Sequence, residues 1–175
     1  MRNRRVAACD LRRRRGPKKS GRPPIGTDIF SVARRSQIMG LIRGQDTAPE
    51  VLVRKMLRFL GYHFKKNLSS LPGTPDVVLA RQKVVIFVHG CFWHGHRGCA
   101  KGRTLPKTRR EFWQSKIHRN VERDQSAVRK LRRAGWRVLK VWECKLKRPG
   151  EISKRLERFI EGEGSDGFAK QRPAG

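Results

Sequence analysis

The chain has 175 residues, with 43 Lys and Arg against 14 Asp and Glu, for a formal net charge of +29. No apolar run approaches the roughly 18 residues of a membrane span, and the basic N-terminus lacks the apolar stretch of a secretory signal. Four cysteines are too few for a small disulfide scaffold, so a reduced, cytoplasmic setting is expected. The charge points to nucleic acid, whose phosphates supply affinity through counterion release. It does not separate an enzyme from a basic binding protein.

Residues 1–27 form a basic arm, rich in Arg and Lys and broken by Gly16, Pro17, Gly21, Pro23 and Pro24. Its composition predicts disorder. Three readings stay open: a solvated extension, a start codon placed too far upstream, or an arm that tracks DNA. A folded unit is expected over 28–161, followed by a flexible tail over 162–175.

Within that unit Ser31 to Arg43 reads as a short basic helix. A second helix starts at Asp46-Thr47-Ala48-Pro49-Glu50, where Thr47 and Glu50 have capping-box spacing and Pro49 suits a first turn. Leu52, Met56 and Leu60 fall on its apolar face, joined by Val53 and Leu57, and Gly61 is a natural stop. Tyr62-His63-Phe64 looks like a short strand. Asp76 to Ala80 and Lys83 to Val88 read as a hairpin around Arg81-Gln82, the second strand apolar on both faces and therefore central. Arg109 to Arg133 has helical spacing, Trp136 to Trp142 alternates as a strand with both tryptophans in the core, and Glu151 to Ile160 is a last helix. The pattern predicts a small α/β domain with a mixed sheet flanked by helices.

Cys91, His96 and Cys99 form C-x4-H-x2-C directly after the central strand. Three soft ligands in one short loop suggest a closed, structural Zn²⁺ site, and Cys144 is the natural fourth ligand. His89 and His94 flank that loop, where a neutral imidazole can take a proton from water. Asp76, at the head of its strand, is placed as nucleases place a carboxylate for Mg²⁺. Glu50 and Asp124 are further candidates, because each stands beside basic or apolar sequence.

These residues occur as long strings in order: Ser70-Leu71-Pro72-Gly73-Thr74-Pro75-Asp76, Phe87 to His94, Glu111-Phe112-Trp113 with Lys116-Ile117, Asn120 to Asp124, and Gly135 to Cys144. Together they resemble the very-short-patch repair (Vsr) mismatch endonucleases over about Asp28 to Ile160. The resemblance implies a restriction-endonuclease-like fold with a structural zinc. It implies a nick in double-stranded DNA beside the thymine of a T·G mismatch, which arises when 5-methylcytosine deaminates. Asp76 then resembles the metal-binding aspartate, with Val88 contributing its backbone carbonyl to Mg²⁺. His94 resembles the general base, Asp124 its orienting partner, and His89 and Glu50 supporting groups. Cys91, His96, Cys99 and Cys144 fall on the zinc ligands. Phe92, Trp93 and Trp113 resemble aromatics that wedge into the base stack, and Met39 a side chain inserted from the minor groove. The Glu-x-Lys half of many restriction-type sites is absent; histidines occupy its place. A monomer associated with the bacterial nucleoid is implied. The alternatives are another restriction-like nuclease without mismatch preference, or a non-catalytic zinc-stabilised nucleic-acid-binding protein.

Overall fold

The structure, a computed structural model, describes Arg34, Gln37 and residues 44–163. The basic arm, Met39 and the tail beyond Glu163 lie outside the described residues. Of the helix expected over 31–43, Arg34 and Gln37 are described; both are helical and exposed.

Helix α1, Ala48–Phe59, begins at the predicted signal, with a rearranged cap. Glu50 accepts a hydrogen bond from the Asp46 backbone N–H at 2.9 Å and another from the Thr47 hydroxyl at 2.7 Å. Val53, Met56 and Leu57 form its buried stripe, while Leu52 is exposed. Four of the five expected apolar residues face the core, since Leu60 also packs against it; Leu52 alone does not, and the buried Glu50 and Arg54 share the inner face. No strand forms over Tyr62-His63-Phe64. A single bridge pairs Lys65 with Val78, and the Tyr62 and Phe64 side chains pack against the core instead. Strand β1, Val77–Leu79, is three residues long and offers only that short partner.

The predicted hairpin is present. β1 pairs antiparallel with β2, Val84–His89, in the register Val77 to Ile86. β2 is buried along its whole length, as its apolar faces require. A loop and a short helix α2, Ala100–Arg103, lead into the long helix α3, Arg110–Arg133. Strand β3, Arg137–Trp142, then pairs parallel with β2, in the order β1-β2-β3. A 3-10 turn over Glu143–Lys147 and helix α4, Pro149–Glu161, complete the described fold.

Strand alternation divides the core into two layers. Val84, Ile86, Val88, Leu139 and Val141 face α1 and α4, where Val53, Leu57, Leu156 and Phe159 cover them. Val85, Phe87 and Val138 face α3 and meet Val128 and Leu131. Fully burying each such side chain contributes about 1.5–3 kcal/mol. Arg137 clasps the C-terminus of α4, donating to the Phe159 and Ile160 carbonyls at 2.7 and 2.6 Å. On the α3 side the turn before Asp76 fits tightly. Gly73 has φ of +77°, and a Cβ there would lie 2.7 Å from the Ala127 Cβ. Gly73→Ala is therefore expected to lower stability by about 1–3 kcal/mol, read as a shift in the urea midpoint at unchanged slope.

Candidate active site and metal clasp

The sheet connections bring the chemically active residues to one end. An antiparallel hairpin returns the head of β1 to the tail of β2, so Asp76 lies beside Val88. The Val88 backbone N–H donates to Asp76 Oδ2 at 2.6 Å, which leaves Oδ1 for another partner. Burial is the main cause pushing the Asp76 carboxyl up to about 6, and the nearby Glu50 carboxylate pushes the same way. The Val88 N–H, His94 and Arg54 oppose them. Glu50 is itself buried and is held from behind by Asp46, Thr47 and Arg54.

Helix α3 supplies the other wall. Trp113, Ile117, Asn120, Asp124, Val128 and Leu131 recur at three and four residues, so they share one face. Asp124 from this face meets His94 from the loop after β2, with His94 Nδ1 and Asp124 Oδ2 2.5 Å apart. A neutral His94 that donates from Nδ1 keeps the Nε2 lone pair free to accept a proton. His89 stacks on His94 with centroids 3.9 Å apart and planes within 10°. Burial first, then the neighbouring His94 and Lys140, holds His89 well below the ordinary imidazole range. Its neutral ring therefore underlies His94 without adding a competing charge.

Asp76, Glu50, Val88, His89, His94 and Asp124 line one cavity of about 510 Å³. Its donors suit a hard divalent cation: Asp76 and Glu50 are carboxylates held together in a poorly solvated site, and each needs compensation. The His89, His94 and Asp124 ligand atoms also lie within 4.8 Å of one another. Face-to-face stacking makes the two imidazole lone pairs parallel rather than convergent, so those rings do not form a chelate.

The cysteine cluster follows from strand register. His89 pairs with Trp142, so Cys91 and Cys144 each lie two residues beyond matched positions on parallel neighbours. The ligand atoms of Cys91, His96, Cys99 and Cys144 all lie within 4.8 Å of one another, and Cys144 Sγ is 3.4 Å from His96 Nδ1. Gly102 lets the loop close, since a Cβ there would overlap the His96 carbonyl. Burial is the largest cause pushing the Cys91 thiol up to about 12 without a cation. Three thiols around one point suit a divalent cation that stabilises their thiolates, and three sulfurs with one imidazole are a tetrahedral zinc donor set. Trp142, expected in the core, is half-buried and stacks on His96 at 4.1 Å. It buttresses the clasp rather than filling the core, because β3 ends where the clasp begins.

Phe92 and Trp93 sit on the loop between the cavity and the cluster, both partly exposed. Trp113 is buried beneath this group and contacts both rings edge to face, with centroids 5.5 and 6.0 Å away. Sequence reasoning missed the groups that hold this shelf. Asn120 Nδ2 donates to the Trp93 carbonyl at 3.1 Å, and Lys116 Nζ lies 5.5 Å from the Trp93 ring centroid. Both share the α3 face with Asp124, a spacing the sequence does contain. It also missed Lys140 and Arg123 in the cavity wall. Lys140 stands out as the polar member of the row Trp136, Val138, Lys140, Trp142.

Similarity to known proteins covers most of this unit. A family model described as DNA mismatch endonuclease Vsr matches residues 27–101. The type II nicking enzyme V.NmeAIP of Neisseria meningitidis serogroup A is 46% identical over 134 residues, which is 77% of this chain and 94% of the relative. The type II nicking enzyme V.XorIIP of Xanthomonas oryzae pv. oryzae is 44% identical over 135 residues, 77% of this chain and 98% of the relative. The DNA mismatch endonuclease Vsr of Escherichia coli strain K12 is 43% identical over 143 residues, 79% of this chain and 90% of that enzyme.

Proposed function

Because the chain belongs to the Vsr family of DNA mismatch endonucleases, we propose that its cavity nicks one strand beside the thymine of a T·G mismatch by Mg²⁺-dependent hydrolysis. The chain is a DNA-nicking mismatch endonuclease. The observation that carries the residue assignment is the convergence of Asp76 with the His94–Asp124 pair in one cavity, beside an aromatic shelf.

In this reading Asp76 Oδ1 and the Val88 carbonyl hold Mg²⁺, with Glu50 as a supporting carboxylate. When bound, that ion supplies charge stabilisation to the phosphate oxygens. His94 takes a proton from water at Nε2 while Asp124 fixes the ring and stabilises the imidazolium that results. The water oxygen forms a bond to phosphorus, the P–O bond to the 3′ oxygen breaks, and the 3′ oxygen takes a proton from solvent to leave as a hydroxyl, so the product carries a 5′-phosphate. His89 stays neutral and fixes the plane of His94.

Mismatch choice follows from deformability. A T·G wobble pair stacks and pairs less well than a matched pair, so opening the step beside it costs less. Phe92 and Trp93 enter the opened step, and Met39 enters from the minor groove; Trp113, expected to wedge with them, is buried and supports them from below. Unstacking costs a few kcal/mol per step, offset by new stacking on these rings. Zn²⁺ in the Cys91, His96, Cys99 and Cys144 set keeps the loop rigid, so little ordering is needed on insertion. The same reading takes the sheet and helices as a restriction-endonuclease-like core over 28–161. It takes the protein as a monomer in the bacterial cytoplasm.

A duplex labelled on both strands tests the reading. With Mg²⁺, the thymine strand of a T·G duplex is cut and its partner is not, and a matched T·A duplex is cut far more slowly. Equal cutting of matched and mismatched DNA would instead make this a restriction-like nuclease without mismatch preference. Asp124→Asn is expected to slow nicking at least about tenfold with DNA affinity retained, because the carboxylate acts through the orientation and charge of His94. Single-turnover rates beside gel-shift affinities check this.

A further inference from the structure

Lys140 occupies a position where strand alternation favours an apolar residue. Val138, Lys140 and Trp142 share one face of β3; Val138 is buried beneath α3 and Trp142 stacks on His96. The β2 residue paired with Lys140 is Phe87, itself buried. Burial is the first cause that pushes the Lys140 ammonium below its ordinary range, assisted by Arg132 and opposed by Asp124. Lys140 is only partly buried, and Asp124 attracts its charge, whereas a methionine of similar length would fill the space without the desolvation cost.

The cavity gives a reason for a cation here. Lys140 lines it together with Asp76, His94 and Asp124. Its wall carries three carboxylates, Glu50, Asp76 and Asp124, whereas its cations are Lys140 and the exposed Arg123. A DNA phosphate entering such a wall meets strong repulsion unless cations face it. The lysine ammonium is a compact point charge with three donors, suited to a phosphate oxygen.

Resting on the reading of this cavity as the nicking site, we propose that the Lys140 ammonium contacts a non-bridging oxygen of the DNA phosphate seated there, making Lys140 a catalytic residue of this chain. The contact strengthens as negative charge builds on those oxygens during attack. It also works before any metal arrives, because it belongs to the protein's own wall.

The test uses the full chain as wild type, Lys140→Met, Lys140→Arg and Asp76→Asn. Affinity for a T·G duplex is measured against salt concentration in Mg²⁺-free buffer, and single-turnover nicking is measured with Mg²⁺. Losing one phosphate contact reduces the slope of log affinity against log salt by about 0.9. Lys140→Met is expected to show that smaller slope and nicking slowed by about 10- to 100-fold. Lys140→Arg is expected to restore the slope and most of the rate. A slower Lys140→Met with an unchanged slope would show that Lys140 only orients Asp124, and would overturn the phosphate contact. Wild-type slope and rate in Lys140→Met would overturn it equally. Asp76→Asn separates the underlying reading: if it nicks like wild type, the cavity assignment itself fails, whatever Lys140 does.

Discussion

Asp76→Asn is expected to abolish detectable nicking, a loss of at least about 10³-fold, and to raise the stability of the protein. The first effect follows from removing the carboxylate that holds the metal, in a reaction whose barrier is lowered mainly by charge stabilisation. The second follows from the cause of its shift. Burial moves the Asp76 carboxyl from an ordinary 3.8 to about 6 in the fold. An acid whose folded value is raised stabilises the fold only while protonated. That contribution is complete below about pH 3.8 and is lost as pH rises through about 6. At neutral pH, keeping the ionised form buried costs roughly 3 kcal/mol. Asparagine removes that cost and can still accept the hydrogen bond from the Val88 N–H. In Mg²⁺-free buffer at pH 7.5 the variant should melt several degrees above wild type, and the gap should close below about pH 4. Calorimetric melting at the two pH values checks it. By the same shift, wild-type nicking at subsaturating Mg²⁺ should fall as pH drops through about 6.

The second large effect concerns the clasp. Cys144→Ser is expected to lose about one Zn per chain together with much of the stability and nearly all nicking. Structural zinc contributes on the order of 10 kcal/mol in domains that fold around it. This fold has its own core on both faces of the sheet, so the loss should be partial, with a melting temperature at least about 10 °C lower. Cys144 is remote from the other three ligands in sequence and ties the ends of β2 and β3 together. The remaining Cys91, His96 and Cys99 lie in one loop and cannot hold β3. The loop carrying Phe92, Trp93 and His94 then loses its anchor. Metal analysis of the purified variant beside its melting curve tests this. A fully stable, zinc-free Cys144→Ser protein would remove Cys144 from the ligand set.

Local patterns in the sequence reached far into this fold. The unbroken apolar run Val84 to Val88 identified the central strand, and the capping signal at Thr47 and Glu50 located the start of α1. What local spacing lacks is register. Nothing within either segment states that His89 pairs with Trp142, yet that pairing brings Cys144 to Cys91. On α1 the apolar face was legible at Val53, Met56 and Leu57; Leu52 is exposed because the charged Glu50 and Arg54 are buried instead, which apolar content does not signal. Tyr62 to Phe64 has strand composition but meets a partner strand too short to extend a ladder. Lys140 carries no motif of its own in the sequence. Its apolar row mates were the available signal.

Several of these features oppose stability and favour chemistry. Asp76 is ionised where burial resists charge, Lys140 is a cation on an otherwise apolar face, and His89 carries a buried Nδ1 with no hydrogen-bond partner among the described residues. All three line the same cavity. The buried Glu50 and Arg54 of α1 add a further charged pair behind the same cavity. Such clustering is expected where a fold gives up stability to hold reactive groups.

Hydrolysis in this cavity requires the imidazole of His94 to serve the same phosphate as Asp76. The most direct measurement is single-turnover nicking of a T·G duplex by His94→Ala, with DNA affinity and zinc content measured on the same preparation. A rate lower by about 10² to 10⁴, at unchanged affinity and full zinc occupancy, is the predicted result. Nicking by His94→Ala within a few-fold of wild type would contradict it.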